Sequence, residues 1–237
     1  MSDIMLRLRG VGFDYPGTRV VDELDLEVPR GELLVCVGPS GCGKSTLLGL
    51  FGGHLQPTRG SLARNGQSRT IYQDGGLFPW LTVRENIANG LPRATAPEQR
   101  AKKVDEWLEI TRLGEFANHY PHQLSGGMRQ RCELARALAA ETDILLLDEP
   151  FSALDYQTRT RMRKELVDTL AERPRTVVFV THDIEEAVQL GDRIVVLGPR
   201  PTGVRRILTL PTPRPRPPAA PGVAEAEQAI MEELGLT

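Results

Sequence analysis

Cysteine is scarce: only Cys36, Cys42 and Cys132 occur in 237 residues. The number is odd and no two are spaced C-x-x-C, so neither a disulfide framework nor a zinc site is indicated, and a reducing compartment fits. Long apolar runs are missing too. None approaches the roughly 18–20 residues needed to span a bilayer, so membrane work would require other chains. Met1-Ser2-Asp3 lacks the basic stretch and apolar core of a secretory signal. Charge of one sign is also lacking. A net charge of -2 removes any global pull toward nucleic acid or anionic lipid without forbidding either. What is present, 40% apolar and 25% charged residues, suffices for one large or two small packed domains.

Hydrophobic patterning divides the chain. Ile4, Leu6 and Leu8 alternate with polar residues, as do residues from Val20 to Val28, which predicts half-buried strands. Leu33–Val37 is continuously apolar, the mark of a strand covered on both faces, and Ile144–Leu147 and Thr176–Val180 read as two more buried strands. Ile194–Leu197 predicts a further short strand, and Thr70–Tyr72 another. Strands alternating with helical stretches indicate an α/β fold with a mainly parallel, helix-covered sheet. Residues from about 83 to 140 show little strand pattern. Val104, Trp107, Leu108 and Leu113 fall at helical spacing, which reads as an inserted α-helical subdomain. Residues 211–222, PTPRPRPPAAPG, are too proline-dense for regular structure and read as a linker before a short amphipathic helix.

Chemistry enters at residues 38–45, Gly-Pro-Ser-Gly-Cys-Gly-Lys-Ser, which match G-x-x-x-x-G-K-[ST] between a buried strand and a helix. Such glycines let backbone N–H groups converge on phosphate oxygens at a helix N-terminus. Gly38, Pro39, Ser40, Gly41, Cys42, Gly43, Lys44, Ser45 and Thr46 are therefore the candidate ATP-binding residues. Lys44 is placed for the β- and γ-phosphates and Ser45 for Mg²⁺. Cys42 has no assigned base and reads as a passive occupant. Asp143-Ile-Leu-Leu-Leu-Asp148-Glu149 is an apolar strand ending in two carboxylates. Asp148 would reach the metal, and Glu149 would polarise the attacking water as general base.

Leu124-Ser125-Gly126-Gly127-Met128, followed by Arg-Gln-Arg-Cys-Glu-Leu-Ala-Arg-Ala-Leu, resembles the signature motif and helix of ABC transporter ATP-binding subunits, with Met128 where Gln is usual. The resemblance spans roughly residues 4–200 and implies a P-loop ATPase core, an N-terminal antiparallel β part and the inserted helical subdomain. It implies that Ser125, Gly126 and Gly127 bind ATP held by a second copy of the chain. Gln73 looks like the Q-loop glutamine that contacts Mg²⁺ or water. Ser152-Ala-Leu-Asp155 resembles the D-loop that crosses the dimer interface, and His182 the switch histidine at the γ-phosphate. Tyr15 looks like the aromatic that stacks on adenine, with Phe13 its rival.

Residues 72–87 (YQDGGLFPWLTVRENI), Glu149-Pro-Phe-Ser-Ala-Leu-Asp155 and Thr181-His-Asp-Ile-Glu-Glu-Ala187 are similar to the nitrate/sulfonate/taurine importer group. That likeness implies transmembrane permease subunits as partners and, indirectly, a solute-binding protein. It implies a peripheral position on the cytoplasmic face of a bacterial inner membrane, and no nucleic acid is expected. Exporter cassettes, and relatives that act on DNA or ribosomes, are the alternatives. A single cassette uninterrupted by coiled coil counts against the nucleic-acid class. Leu77, Phe78, Pro79 and Trp80 are read either as core or as a groove for a helix of the membrane subunit.

Overall fold

A computed structural model of the chain describes residues 3–72 and 76–236, and these form two compact units. The first comprises Met1–Thr70, Asp143–Glu149 and Pro174–Thr237. Its N-terminal part is a three-stranded antiparallel sheet in the order β2-β1-β4, built from β1 (Ile4–Tyr15), β2 (Thr18–Pro29) and β4 (Arg59–Arg64). β1 and β2 are longer than their alternation suggests. Bulges between Leu8 and Val11 break the period, while pairing continues to the tight turn at Gly17, whose φ of 77° favours glycine.

The main sheet has six strands in the order β5-β6-β7-β3-β8-β9. They are β3 (Leu33–Val37), β5 (Ser68–Ile71), β6 (Ile144–Asp148), β7 (Thr176–Thr181), β8 (Arg193–Leu197) and β9 (Val204–Thr209). β6, β7, β3 and β8 are parallel, and β9 runs antiparallel to β8. Every residue of β3, β6 and β7 is buried, which is why these strands read as unbroken apolar runs. α1 (Lys44–Gly52) follows β3 and packs on β6 and β7. Leu34, Cys36, Leu47, Phe51, Leu146 and Val178 share the resulting core.

The proline-dense segment is not the free linker its composition suggests. Arg216 is 2% exposed, and its guanidinium donates to the carbonyls of Val188 (3.2 Å), Gly191 (2.7 Å) and Leu210 (3.0 Å). Two of these carbonyls lie at the end of α6 (Ile184–Leu190), where helical partners run out. Arg214 pairs with Asp192 beside it. α7 (Val223–Leu234) then packs on α6, β8 and β9. Fixed prolines leave such a strap little conformational entropy to lose on ordering.

The second unit, Ile71–Thr142 and Pro150–Arg173, is helical. It contains α2 (Val83–Gly90), α3 (Pro97–Ile110), α4 (Gly126–Leu138) and α5 (Tyr156–Glu172). Val83, Ile87, Val104, Leu108, Leu113 and Cys132 form its core. α3 ends before the expected Leu113 because Arg112 turns into the left-handed region at φ 52°. α5 belongs to this unit although β6 separates it in sequence from the other helices.

Candidate functional site

The first unit brings together the residues singled out between 38 and 46, 148, 149 and 182. β3 delivers the chain to Gly38, and α1 begins at Lys44 with Gly43 as its N-cap, at φ 120° and without any side-chain cap. Gly43 brings no side chain to cap the amides of that first turn, which leaves the N-terminus of α1 suited to an anion. Lys44 is 6% exposed, and its ammonium donates to the carbonyls of Gly38 (2.8 Å) and Pro39 (3.0 Å). The loop thus holds the Lys44 cation at its own mouth, with a third donor left for a phosphate. Pro39, Ser40, Gly41 and Ser45 are exposed, Thr46 is half-buried, and Gly38, Cys42 and Gly43 are buried. Burial pushes the Cys42 thiol up despite the nearby Lys44 cation, so it stays protonated and is no nucleophile.

β6 ends at Asp148, which is 4% exposed and lies opposite Val180 of β7. The next residue, Glu149, sits in the left-handed region at φ 47°, and its N–H donates to the Val180 carbonyl at 2.9 Å. A non-glycine residue in that region is strained by about 1–3 kcal/mol and needs its surroundings to hold it. The twist sends the Glu149 carboxylate toward His182: Oε2 lies 3.0 Å from Nδ1. His182 is placed just as firmly. Thr181 donates its hydroxyl to buried Glu186 (2.8 Å) and accepts the Asp183 N–H (3.0 Å), while Asp183 caps α6 through the Glu186 N–H (3.1 Å). Tyr15 is 45% exposed, whereas Phe13 is 7% exposed and packs edge-on against it at 4.9 Å between ring centroids. Of the two aromatics, Tyr15 therefore offers a free face and Phe13 belongs to the core.

Ser125, Gly126, Gly127 and Asp155 lie in the helical unit. Ser125 is the N-cap of α4, its hydroxyl accepting the Met128 N–H at 3.3 Å, and Ser125 and Gly126 are exposed. A side chain at Gly127 would stand 3.0 Å from the Ala153 carbonyl. Gln130 of α4 accepts the Ala153 N–H (2.9 Å) and donates to Ser152 (3.3 Å), which ties the segment before Asp155 to the start of α4. Both carboxylate oxygens of Asp155 are used at the N-terminus of α5, by the N–H (3.0 Å) and hydroxyl (2.7 Å) of Thr158. Those bonds hold the Asp155 carboxyl below its usual range. Gln73 lies outside the described residues.

Trp80 is 69% exposed, so it is not a core residue. The turn that presents it is fixed by a side chain the sequence reading missed. Asn86 of α2 is fully buried, accepts the Phe78 N–H (2.9 Å), and donates to the carbonyls of Phe78, Leu81 and Thr82 (2.9–3.1 Å). Two further unread residues come from α4. Glu133, 3% exposed, accepts a hydrogen bond from the Gly76 backbone. Arg136 lies 3.7 Å from Glu133 and stacks over the Phe78 ring at 5.1 Å. No local periodicity marks such residues; a buried Asn or Glu inside an amphipathic helix is the only available signal.

The family model described as ABC transporter matches residues 21–152, more than half of the chain. The aliphatic sulfonates import ATP-binding protein SsuB of Bacillus licheniformis is 42% identical over 228 residues, 93% of this chain and 89% of that one. The taurine import ATP-binding protein TauB of Pelagibacter ubique is 41% identical over 223 residues, 89% and 84% of the two chains. The dimeric structure of MJ0796, a bacterial ABC transporter cassette, superposes with a TM-score of 0.78 at 34% identity, covering 88% of this chain and all of that one. The chain belongs to the ABC transporter ATP-binding family, and its α/β core with an inserted helical unit is the ABC ATPase fold.

Proposed function

We infer that this chain is the ATP-hydrolysing motor of a bacterial importer for a small anion of the taurine or sulfonate kind. The observation that carries the hydrolytic part is the Glu149 carboxylate, twisted off the end of β6 and held 3.0 Å from His182 Nδ1. The cargo follows from likeness to import subunits named for taurine and aliphatic sulfonates.

Lys44 and the amides opening α1 bind the β- and γ-phosphates, and Tyr15 stacks on the base. The Ser45 hydroxyl and Asp148 carboxylate are hard oxygen donors of the kind Mg²⁺ takes, and they would hold it. When bound, Mg²⁺ supplies positive charge to the phosphate oxygens. Glu149 accepts a proton from a water as the water oxygen bonds to the γ-phosphorus and the bond to the ADP oxygen breaks. His182 keeps the carboxylate aimed and contacts the γ-phosphate with its exposed edge. Gln73 would contact the metal or the attacking water.

Two chains work head to tail, each ATP being closed over by the partner subunit's Ser125, Gly126 and Gly127, whose amides open α4. Asp155 lies at the contact between the copies. Permease subunits bind the Leu77–Leu81 turn. The chain sits against the cytoplasmic face of the membrane and takes its cargo signal indirectly from a solute-binding protein. Among the described residues, no helix is long and apolar enough to cross a membrane.

Covalently linked dimers of one Lys44→Ala chain and one Ser125→Arg chain test the arrangement. Both lesions then fall in one composite site and the other stays intact, so nucleotide trapping should occupy one site per dimer. Crosslinking that places Ser125 beside the ATP held by its own chain's Lys44 refutes the head-to-tail pairing.

A further inference from the structure

Three glycines of the phosphate-binding loop back onto a segment that no motif above includes, the end of β8 and its connection to β9. A Cβ on Gly38 would stand 3.1 Å from both the Cβ and the carbonyl oxygen of Leu197. On Gly43 it would stand 2.9 Å from Thr202 Oγ1, and on Gly41 3.9 Å from an Arg200 guanidinium nitrogen. Leu197, Arg200 and Thr202 therefore form a wall beside the loop.

Thr202 is fully buried and anchored to β2. Its N–H donates to the Val20 carbonyl (2.7 Å), and its own carbonyl accepts the Asp22 N–H (3.1 Å). Its hydroxyl donates to the carbonyl of Cys42. A loop that aims its N–H groups at an anion has to turn its carbonyls away and find donors for them. Lys44 takes the carbonyls of Gly38 and Pro39, and Thr202 takes that of Cys42. Arg200 is different. It is exposed, and among the described residues its guanidinium makes no hydrogen bond or ion pair. A guanidinium beside a phosphate site, with its donors unspent, is suited to charge-assisted bonds to phosphate oxygens.

We propose that the β8–β9 connection is part of the nucleotide site: Arg200 is a phosphate-binding residue beside Lys44, and Thr202 is a positioning residue that holds the Cys42 carbonyl away from the phosphates. The proposal rests on the reading that residues 38–46 hold the phosphates of ATP. Arg200 adds charge that the G-x-x-x-x-G-K-[ST] pattern does not contain, and Thr202 makes the loop's shape depend on a residue about 160 positions downstream of Cys42.

The test is calorimetric titration of the full chain with MgATP, and with adenosine as a ligand without phosphates. Arg200→Ala should weaken MgATP binding roughly tenfold, as expected for loss of a hydrogen bond to a charged group, and Arg200→Lys should weaken it less. Thr202→Val, which keeps shape and removes the hydroxyl, should weaken MgATP binding roughly three- to tenfold, and Thr202→Ser should restore it. Adenosine affinity should not change in any of them. Wild-type MgATP affinity in both Arg200→Ala and Thr202→Val overturns the proposal. So does equal loss of MgATP and adenosine affinity accompanied by a lower melting temperature, which would make these residues structural only. Lys44→Ala is the control. If it binds MgATP normally, the phosphate-loop reading itself is wrong and this proposal goes with it; if it binds weakly while the Arg200 and Thr202 variants do not, only this proposal is wrong.

Discussion

Replacing Glu149 by Gln isolates the proton-accepting role from everything else the residue does. Gln has the same shape, keeps an oxygen that can accept a hydrogen bond from His182 Nδ1, now 3.0 Å from Oε2, and meets the same φ of 47°. The backbone strain is therefore unchanged. What disappears is the basicity of a carboxylate whose side chain is 13% exposed. General-base contributions run at roughly 10²–10⁴-fold, equivalent to about 2.7–5.4 kcal/mol of barrier. Steady-state phosphate release from the assembled complex should fall by that factor. MgATP affinity should persist, and an ATP-bound dimer should accumulate on size exclusion. Turnover within about threefold of wild type, with the variant folded and loaded, would falsify the general-base role.

Trp80→Ala should leave the melting temperature and ATP affinity of the isolated chain almost unchanged, because the ring is 69% exposed, yet lower permease pull-down or uncouple ATPase from transport; unfolding of the variant contradicts this. Arg216→Ala strands three buried carbonyls and should cost roughly 3 kcal/mol, a melting-temperature drop of roughly 6–12 °C by calorimetry. Burial raises the Glu133 carboxyl above its ordinary 4.5, so the folded chain keeps a proton that the unfolded chain has released. Stability should fall as pH rises from about 4.5 towards the folded value. Glu133→Gln removes this term, so its urea midpoint relative to wild type should climb across that window and then level off; a pH-independent difference refutes the assignment.

The core of the fold was legible because its strands are buried on both faces. Leu33–Val37 and Ile144–Asp148 carry no polar residue until the site begins, and the Gly38–Ser45 spacing marks the turn between strand and helix. Two of the edge strands, β4 and β9, were not legible. Arg59–Arg64 in β4 turns only Leu62 toward the core, and Val204–Thr209 in β9 lies at the sheet's border, so neither shows a period-two pattern. The proline-dense tail misled for a related reason: Arg216 is held by backbone carbonyls, which leave no trace in hydropathy. The same limit hid Glu133, Arg200 and Thr202, whose roles lie in contacts across long sequence separations, and Asn86, which bonds the backbone only 4–8 residues away. The left-handed turn at Glu149 was invisible too, since nothing about Glu predicts a positive φ.

The strand order β5-β6-β7-β3-β8-β9 also sets a timetable for synthesis. Leu33 of β3 pairs with Val177 of β7, and β3 lies between β7 and β8, so the phosphate-loop strand has neither neighbour until most of the chain has been made. At ribosomal speeds of roughly 5–20 residues per second, that wait is on the order of ten seconds. The apolar faces of β1, β2 and β3 are exposed to capture or aggregation throughout it. The helical segment 71–142 is contiguous and rich in local contacts, and can fold meanwhile. Arg216 and α7 are made after every strand of the main sheet, so the strap they form can dock only on strands already synthesised.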